Sequence, residues 1–236
     1  MYKSIELSLD RLLAEQGIKV LFILATGVIR DESATLCLDA WQDAQASLDP
    51  ETALSHAHLL GYRQLHKQFQ VDDESLIPAP ESLIRLSLER GGLRSFGPIV
   101  DLYNTISLNH LISAGAHDAD QLGNSVELTK NRGGEKFRPL GQKKKLPLPG
   151  NEYSYKTDLR RPICRLECKQ ANETKLRENT SKWLFILQGN DKITSGALQN
   201  ASRDLTNKLE ALTVDCRWDS KLLGPETLNA QLKIAI

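Results

Sequence analysis

The chain has no net charge, no long hydrophobic run and little cysteine, and each absence excludes something. Its 236 residues carry 30 basic and 30 acidic side chains, so no global field draws it to nucleic acid or membrane. The longest apolar run, Val20 to Ile29, is far too short to span a bilayer. Glu6, Asp10 and Glu15 precede that run, the wrong charges for a secretory leader. It reads as a buried strand, and the protein as cytoplasmic. Cys37, Cys164, Cys168 and Cys216 are scattered, with no partner His or second Cys pair at zinc-ligand spacing, which predicts reduced structural thiols and no metal. There is no phosphate-binding glycine loop, no dinucleotide fingerprint and no Gly-x-Ser-x-Gly elbow, so no cofactor is expected. Internal repeats and long low-complexity segments are absent.

What remains is ordinary globular composition, 40% apolar and 25% charged, long enough to bury a substantial core. Ser8 is placed to cap a short helix through Leu12, Leu13 and Glu15, closed by Gly17. Ile18 to Ile29 is apolar on both faces, which predicts a strand inside a sheet covered on both sides. Glu32 to Leu48 predicts a helix with Leu36, Leu38 and Trp41 inward. Thr52 to Phe69 predicts a second, carrying His56, His58 and His66, and Glu81 to Arg90 a third, started by Pro80 and stopped at Gly91-Gly92. No carboxylate between the histidines gives them a metalloprotease pattern, so they read as surface or interhelix groups.

The next helix matters most. From Pro98, the residues Ile99, Leu102, Tyr103, Ile106 and Leu111 recur at helical spacing. Asn104 flanks that stripe, at the edge of the buried face. Periodicity then changes. Short strands follow near Val126–Leu128, Glu135–Phe137, Glu152–Tyr155, Ile163–Cys168 and Lys182–Gln188. A helix from Gly196 to Leu212, a strand from Val214 to Trp218 and an apolar tail at Leu228, Leu232, Ile234 and Ile236 complete the chain. The tail is expected to pack on the body or on a neighbouring subunit.

Charge is unevenly distributed. Between Lys130 and Arg161 ten cations face only Glu135, Glu152 and Asp158. Lys143-Lys144-Lys145 lies in a Gly- and Pro-flanked loop that can reach phosphates, with Arg160 and Arg161 in the same basic stretch. Tyr153 and Tyr155 are placed either to stack on an unpaired base or to fill the core. Alternation on a strand sends Arg165, Glu167 and Lys169 to one face. That face reads either as a site for an anionic or zwitterionic ligand or as a ladder of ion pairs.

Val100-Asp101-Leu102-Tyr103-Asn104, Gly115-Ala116-His117-Asp118, Gly134-Glu135-Lys136-Phe137 and a Thr-rich segment ending at Thr180 resemble, in order and spacing, the B3/B4 domain. That domain is the editing and tRNA-associated domain of the phenylalanyl-tRNA synthetase beta chain, and it also occurs as a free-standing protein. The resemblance covers roughly residues 20 to 215. It implies one α+β domain over residues 1–236, a three-layer core with a helix-rich N-terminal half and a short-stranded mixed-sheet C-terminal half. It also implies tRNA and an aminoacyl moiety as partners, with hydrolysis of mischarged aminoacyl-tRNA as the activity. Asn104, His117, Asp118, Glu135, Arg165, Lys169 and Thr180 are the substrate-side candidates. Lys143, Lys144, Lys145, Arg160 and Arg161 are the RNA-side candidates.

The chain departs from the synthetase pattern at three places. Tyr103 stands for the family's hydroxyl residue before the Asn. Gly115 stands where the synthetase version has His, with His117 two residues later. Leu187, next to Gln188, stands where it has Glu. Those losses support an alternative, a non-catalytic module that binds an amino acid or related small ligand. A third reading is an interaction protein that uses the C-terminal tail.

Overall fold

Val20 to Ala25 has no polar side chain to show to water, so both faces of its strand have to be covered. A computed structural model describes residues 2–30, 33–158 and 160–236 and shows how. The chain opens with β1 (Tyr2–Leu9), α1 (Arg11–Glu15) and β2 (Lys19–Ile29). Five helices follow: α2 (Ser33–Ala46), α3 (Pro50–Ser55), α4 (Ala57–Gln68), α5 (Ala79–Arg90) and α6 (Pro98–His110). Then come β3 (Ser113–Asp118), β4 (Ser125–Lys130), β5 (Lys136–Phe137), β6 (Leu146–Pro147), β7 (Tyr153–Thr157), β8 (Pro162–Arg165), β9 (Lys169–Gln170) and β10 (Lys182–Gly189). The last elements are α7 (Ser195–Leu212), β11 (Thr213–Leu223) and β12 (Asn229–Ala235).

Besides a separate two-stranded sheet of β5 and β6, two large sheets hold the chain. One has four strands in the order β11-β2-β10-β3, all antiparallel. The other has six, β12-β1-β4-β7-β8-β9, with β1 and β4 parallel. Alternation along β2 divides its side chains between two cores. Leu21, Ile23 and Ala25 join Trp183, Phe185 and Leu187 of β10 against Trp41, Ile84, Leu102, Ile106, Leu205 and Leu209 of the helices. Val20, Phe22 and Leu24 join Leu184 and Ile186 against Ile5, Leu7, Val126, Leu128 and Tyr155 of the six-stranded sheet. The result is three layers: helices, the four-stranded sheet, and the six-stranded sheet. This is the α+β class and layering expected. Among the described residues no helix is long and apolar enough to cross a membrane.

Several boundaries differ from the sequence reading. Residues 2–9 form β1, whose apolar side chains Ile5, Leu7 and Leu9 alternate inward. Helix α1 is capped by Asp10, which accepts from the Leu12 N–H at 2.9 Å, and not by Ser8, which is in β1. Glu32 and the side chain of Leu36 lie outside the described residues. The helix expected from Thr52 to Phe69 is two helices, broken at His56. That residue ends α3 in an extended conformation and caps α4 through its ring. The strand expected from Ile163 to Cys168 stops at Arg165 and turns, with Leu166 in the left-handed region at φ 51°. The strand expected from Val214 runs on to Leu223 with a bulge before Arg217. The tail packs on the body as β12, antiparallel to β1.

Phe185 is fully buried between β10 and the helices. Phe185→Ala is expected to cost about 3–5 kcal/mol of stability, and Val28→Ala, at an exposed position of β2, less than about 0.5. Urea unfolding of the two variants checks the difference.

Candidate functional site

The sheets separate at β3, an edge strand of its sheet, and a cleft of about 210 Å3 opens there. Ser113, Gly115 and His117 of β3 face it together with Ile186 and Gln188 of β10. Tyr155, Cys164, Glu167, Cys168 and Gln170 form the opposite wall, from the six-stranded sheet and the β8–β9 turn. Helices α5 and α6 close the third side with Ser82, Leu83, Tyr103 and Asn104.

Asn104 is only 8% exposed, and its side chain lines the cleft. An amide in a cleft lining can offer two donors and an acceptor to whatever enters. His117 is buried, and burial pushes its imidazole down to about 3. It is therefore neutral throughout the ordinary pH range. Its Nδ1 lies 2.8 Å from the Thr174 hydroxyl and 3.3 Å from the Gln170 amide nitrogen, which can only donate. Where Gln170 donates to Nδ1, the ring proton sits on Nε2 and makes it a neutral donor. A Cβ built on Gly115 would meet nothing within 4 Å, so the place where the synthetase pattern has His is open space. Leu187 points to the helical core, and its neighbour Gln188 faces the cleft.

The carboxylate in this wall is Glu167, which the strand reading put on one polar face with Arg165 and Lys169. The turn after Arg165 carries it inward instead, 6% exposed. Its Oε1 lies 2.5 Å from His66 Nε2. Its Oε2 accepts from the Tyr153 hydroxyl and, at 3.2 Å, from Gln188 Nε2. Tyr155 donates to Gln188 Oε1 at 2.6 Å, and the Tyr62 hydroxyl donates to the Gln188 carbonyl while accepting from Ser113 N–H at 2.9 Å. Burial alone would raise Glu167 and lower His66. Their mutual attraction and hydrogen bond outweigh it, so Glu167 is held down and His66 up, an ion pair. Burial, with Glu167 beside it, pushes the Cys168 thiol well up. Tyr153 and Tyr155 fill the core and this network, which resolves the choice between base stacking and packing.

The remaining candidates lie outside the cleft lining. Asp118 turns away, capping a short 3-10 turn through the Asp120 N–H and accepting from Thr180 Oγ1 at 3.2 Å. Glu135 pairs with the buried Lys156 ammonium at 3.0 Å and accepts from the Arg132 N–H. Burial acts to raise Glu135, but the Arg132 N–H and Lys156 prevail and hold it at about 2. Arg165 forks onto Glu152 at 2.6 and 2.7 Å and reaches Asp73 at 3.0 Å. Lys169 is its cross-strand neighbour across the turn, so those two share a face of the hairpin, while Glu167, in the turn between them, leaves that face for the cleft wall. Lys143, Lys144 and Lys145 are exposed in the loop between β5 and β6. That hairpin hangs on the strand walling the cleft, through Leu140 N–H to the Gln170 carbonyl at 2.8 Å. Arg160 and Arg161 sit on the β7–β8 turn, Arg161 donating to the Gln121 carbonyl.

The B3/4 domain family model matches residues 73–211, more than half of the chain. The chain belongs to the B3/4 domain family. Its fold is similar to the crystal structure of an N-terminal fragment of the phenylalanyl-tRNA synthetase beta-subunit from Pyrococcus horikoshii, with a TM-score of 0.54 and 11% identity. That likeness covers 95% of this chain and 53% of the fragment, so the chain spans about half its length. No curated protein matches the chain.

Glu135→Gln would leave the Lys156 ammonium, 2% exposed, without its counter-charge, at a cost on the order of 3 kcal/mol at pH 7. Because the folded value of Glu135 is depressed, its contribution is whole above the ordinary carboxylate value and lost as pH falls through about 2. The gap between wild type and variant in urea unfolding should therefore shrink steadily as the buffer is taken from pH 5 toward pH 3.

Proposed function

We propose that this protein binds tRNA and takes the aminoacyl end of a mischarged tRNA into the Asn104 cleft, where water releases the amino acid. The observation that carries the reading is the nearly buried Asn104 side chain lining a cleft whose wall suspends a hairpin tipped by three lysines. An ester is already activated, so holding it and a water in place supplies much of the rate. Asn104 positions the ester or the water. Neutral His117 offers a hydrogen bond to the oxygen on which charge develops. The open space at Gly115 and the Tyr103 wall read the side chain, and about 210 Å3 is the scale of one amino acid rather than of a drug-sized ligand. Lys143, Lys144 and Lys145, with Arg160 and Arg161, hold phosphates. Asp118 with Thr180, Glu135 with Lys156, and Arg165 with Glu152 stiffen the walls from behind, with Lys169 beside them.

One observation favours a second reading, a module that binds an amino acid without hydrolysis. Both Glu167 oxygens are committed, to His66 on one side and to Tyr153 and Gln188 on the other, so among the described residues the cleft lining holds no free carboxylate to act as a base.

The test is deacylation of a panel of mischarged tRNAs. Release above the spontaneous rate is expected, falling at least about tenfold in Asn104→Ala. The triple Lys143, Lys144, Lys145→Ala variant should weaken tRNA binding and flatten its salt dependence by about two to three in log–log slope. Salt-sensitive binding without release would leave the RNA contact and remove the hydrolysis. Saturable binding of a free amino acid, lost in Asn104→Ala and without tRNA affinity, would establish the second reading.

A further inference from the structure

We propose that His66, Glu167 and Cys168 form a binding site for one divalent transition-metal ion, zinc first, in the partition between the cleft and the outer surface. The three residues come from the last turn of α4 and from the β8–β9 turn, about a hundred positions apart in the chain, so no sequence spacing announces them. The fold brings one ligand atom of each within 4.8 Å of the others.

The geometry fits the ion. Zinc takes nitrogen at about 2.0–2.1 Å, oxygen at about 2.0–2.2 Å and thiolate at about 2.3 Å, in tetrahedral array. Those lengths put nitrogen and oxygen about 3.3 Å apart, and sulfur about 3.6 Å from either. Cys168 Sγ lies 3.8 Å from His66 Nε2 and 3.6 Å from Glu167 Oε1, already at those separations. The His66–Glu167 contact, 2.5 Å, is the one distance that has to open, by less than about 1 Å, for an ion to sit between the two atoms. Imidazole, carboxylate and thiolate together are a donor set that suits zinc and cobalt better than magnesium or calcium.

The surroundings fit as well. Glu167 presents Oε1 to the cluster, while Tyr153 and Gln188 hold Oε2, which fixes the ligand's orientation as the outer partners of metal-binding carboxylates do. The charge balances. Without metal the cluster holds an imidazolium, a carboxylate and a thiol. The divalent ion enters and two protons leave, one from His66 and one from Cys168, so the net charge in this buried place is unchanged. There is an entry path, since Glu167 and Cys168 line the cleft and His66 lines a separate outer recess with Asp73 and Glu81. Three protein ligands would leave a tetrahedral ion one further position for water or another ligand.

Metal binding is read on the full chain without tRNA, so its outcome is separate from that of the deacylation assay. The protein is stripped with a chelator and titrated with zinc in competition with a metallochromic indicator, and in parallel with cobalt(II). One equivalent of zinc per chain is expected, with an intense near-ultraviolet thiolate-to-cobalt band. The band should persist in Cys164→Ser, whose sulfur lines the same cleft, and vanish in Cys168→Ser. Zinc affinity should fall at least about 100-fold in both Cys168→Ser and His66→Gln. If Cys168→Ser fails to fold, the His66→Gln and Cys164→Ser comparison decides. Absence of stoichiometric zinc in the wild type, a band that survives Cys168→Ser, or one that Cys164→Ser abolishes would overturn the site.

Discussion

Burial of both faces of β2 and β10 is the constraint from which the rest of the molecule follows. A strand covered on both sides needs a second sheet on one face and helices on the other, and the alternation of its side chains determines which core each residue enters. Leu187 and Gln188 show the consequence for the site. One faces the helices and the other the cleft, and a shift of one residue in register would exchange an amide for an apolar side chain in the cleft wall. The cleft itself is what remains where this arrangement ends. β3 is the last strand of its sheet, and helices α5 and α6 cover its edge without closing it.

Glu167 introduces a second requirement into this apolar frame. A carboxylate that deep is tolerated only when its charge is balanced and its oxygens are satisfied. His66, Tyr153 and Gln188 do both, and Tyr62, Tyr155 and Ser113 in turn hold those groups. The network joins α4, β3, β7, β10 and the β8–β9 turn. A polar cluster of this kind makes the walls rigid, because moving any member strands a buried group. The site is therefore mostly formed before anything binds.

The layers were legible in the sequence because they rest on local patterns. The apolar run gave a strand that is doubly covered from Val20 to Ala25, and the stripe from Ile99 to Ile106 placed Asn104 beside the core. What escaped depends on contacts distant in sequence. β1 is short and alternates with polar residues, and its neighbours are residues 125–128 and 229–235. Glu167 looked like one of three alternating polar residues, because nothing local announced that Leu166 would enter the left-handed region and reverse the chain. His66 appeared as a surface or interhelix group since its partner is 101 residues away. Gly115 was read as a loss, and space is indeed what it leaves, but only the fold shows that the space belongs to a cleft.

The position of β1 has a kinetic consequence. It precedes the other strands of its sheet in the chain, yet it lies inside that sheet, between β4 and β12. Its alternating apolar face and both of its hydrogen-bonding edges stay unmatched while more than a hundred further residues are added. The second edge is closed only by a segment some 220 residues on. Long-range pairing of this kind is slow, and unpaired strands are where partly folded chains associate wrongly. The six-stranded sheet is thus expected to assemble late, after the helices have packed on β2. Conditions that delay completion of the chain would expose β1 to strand pairing between molecules.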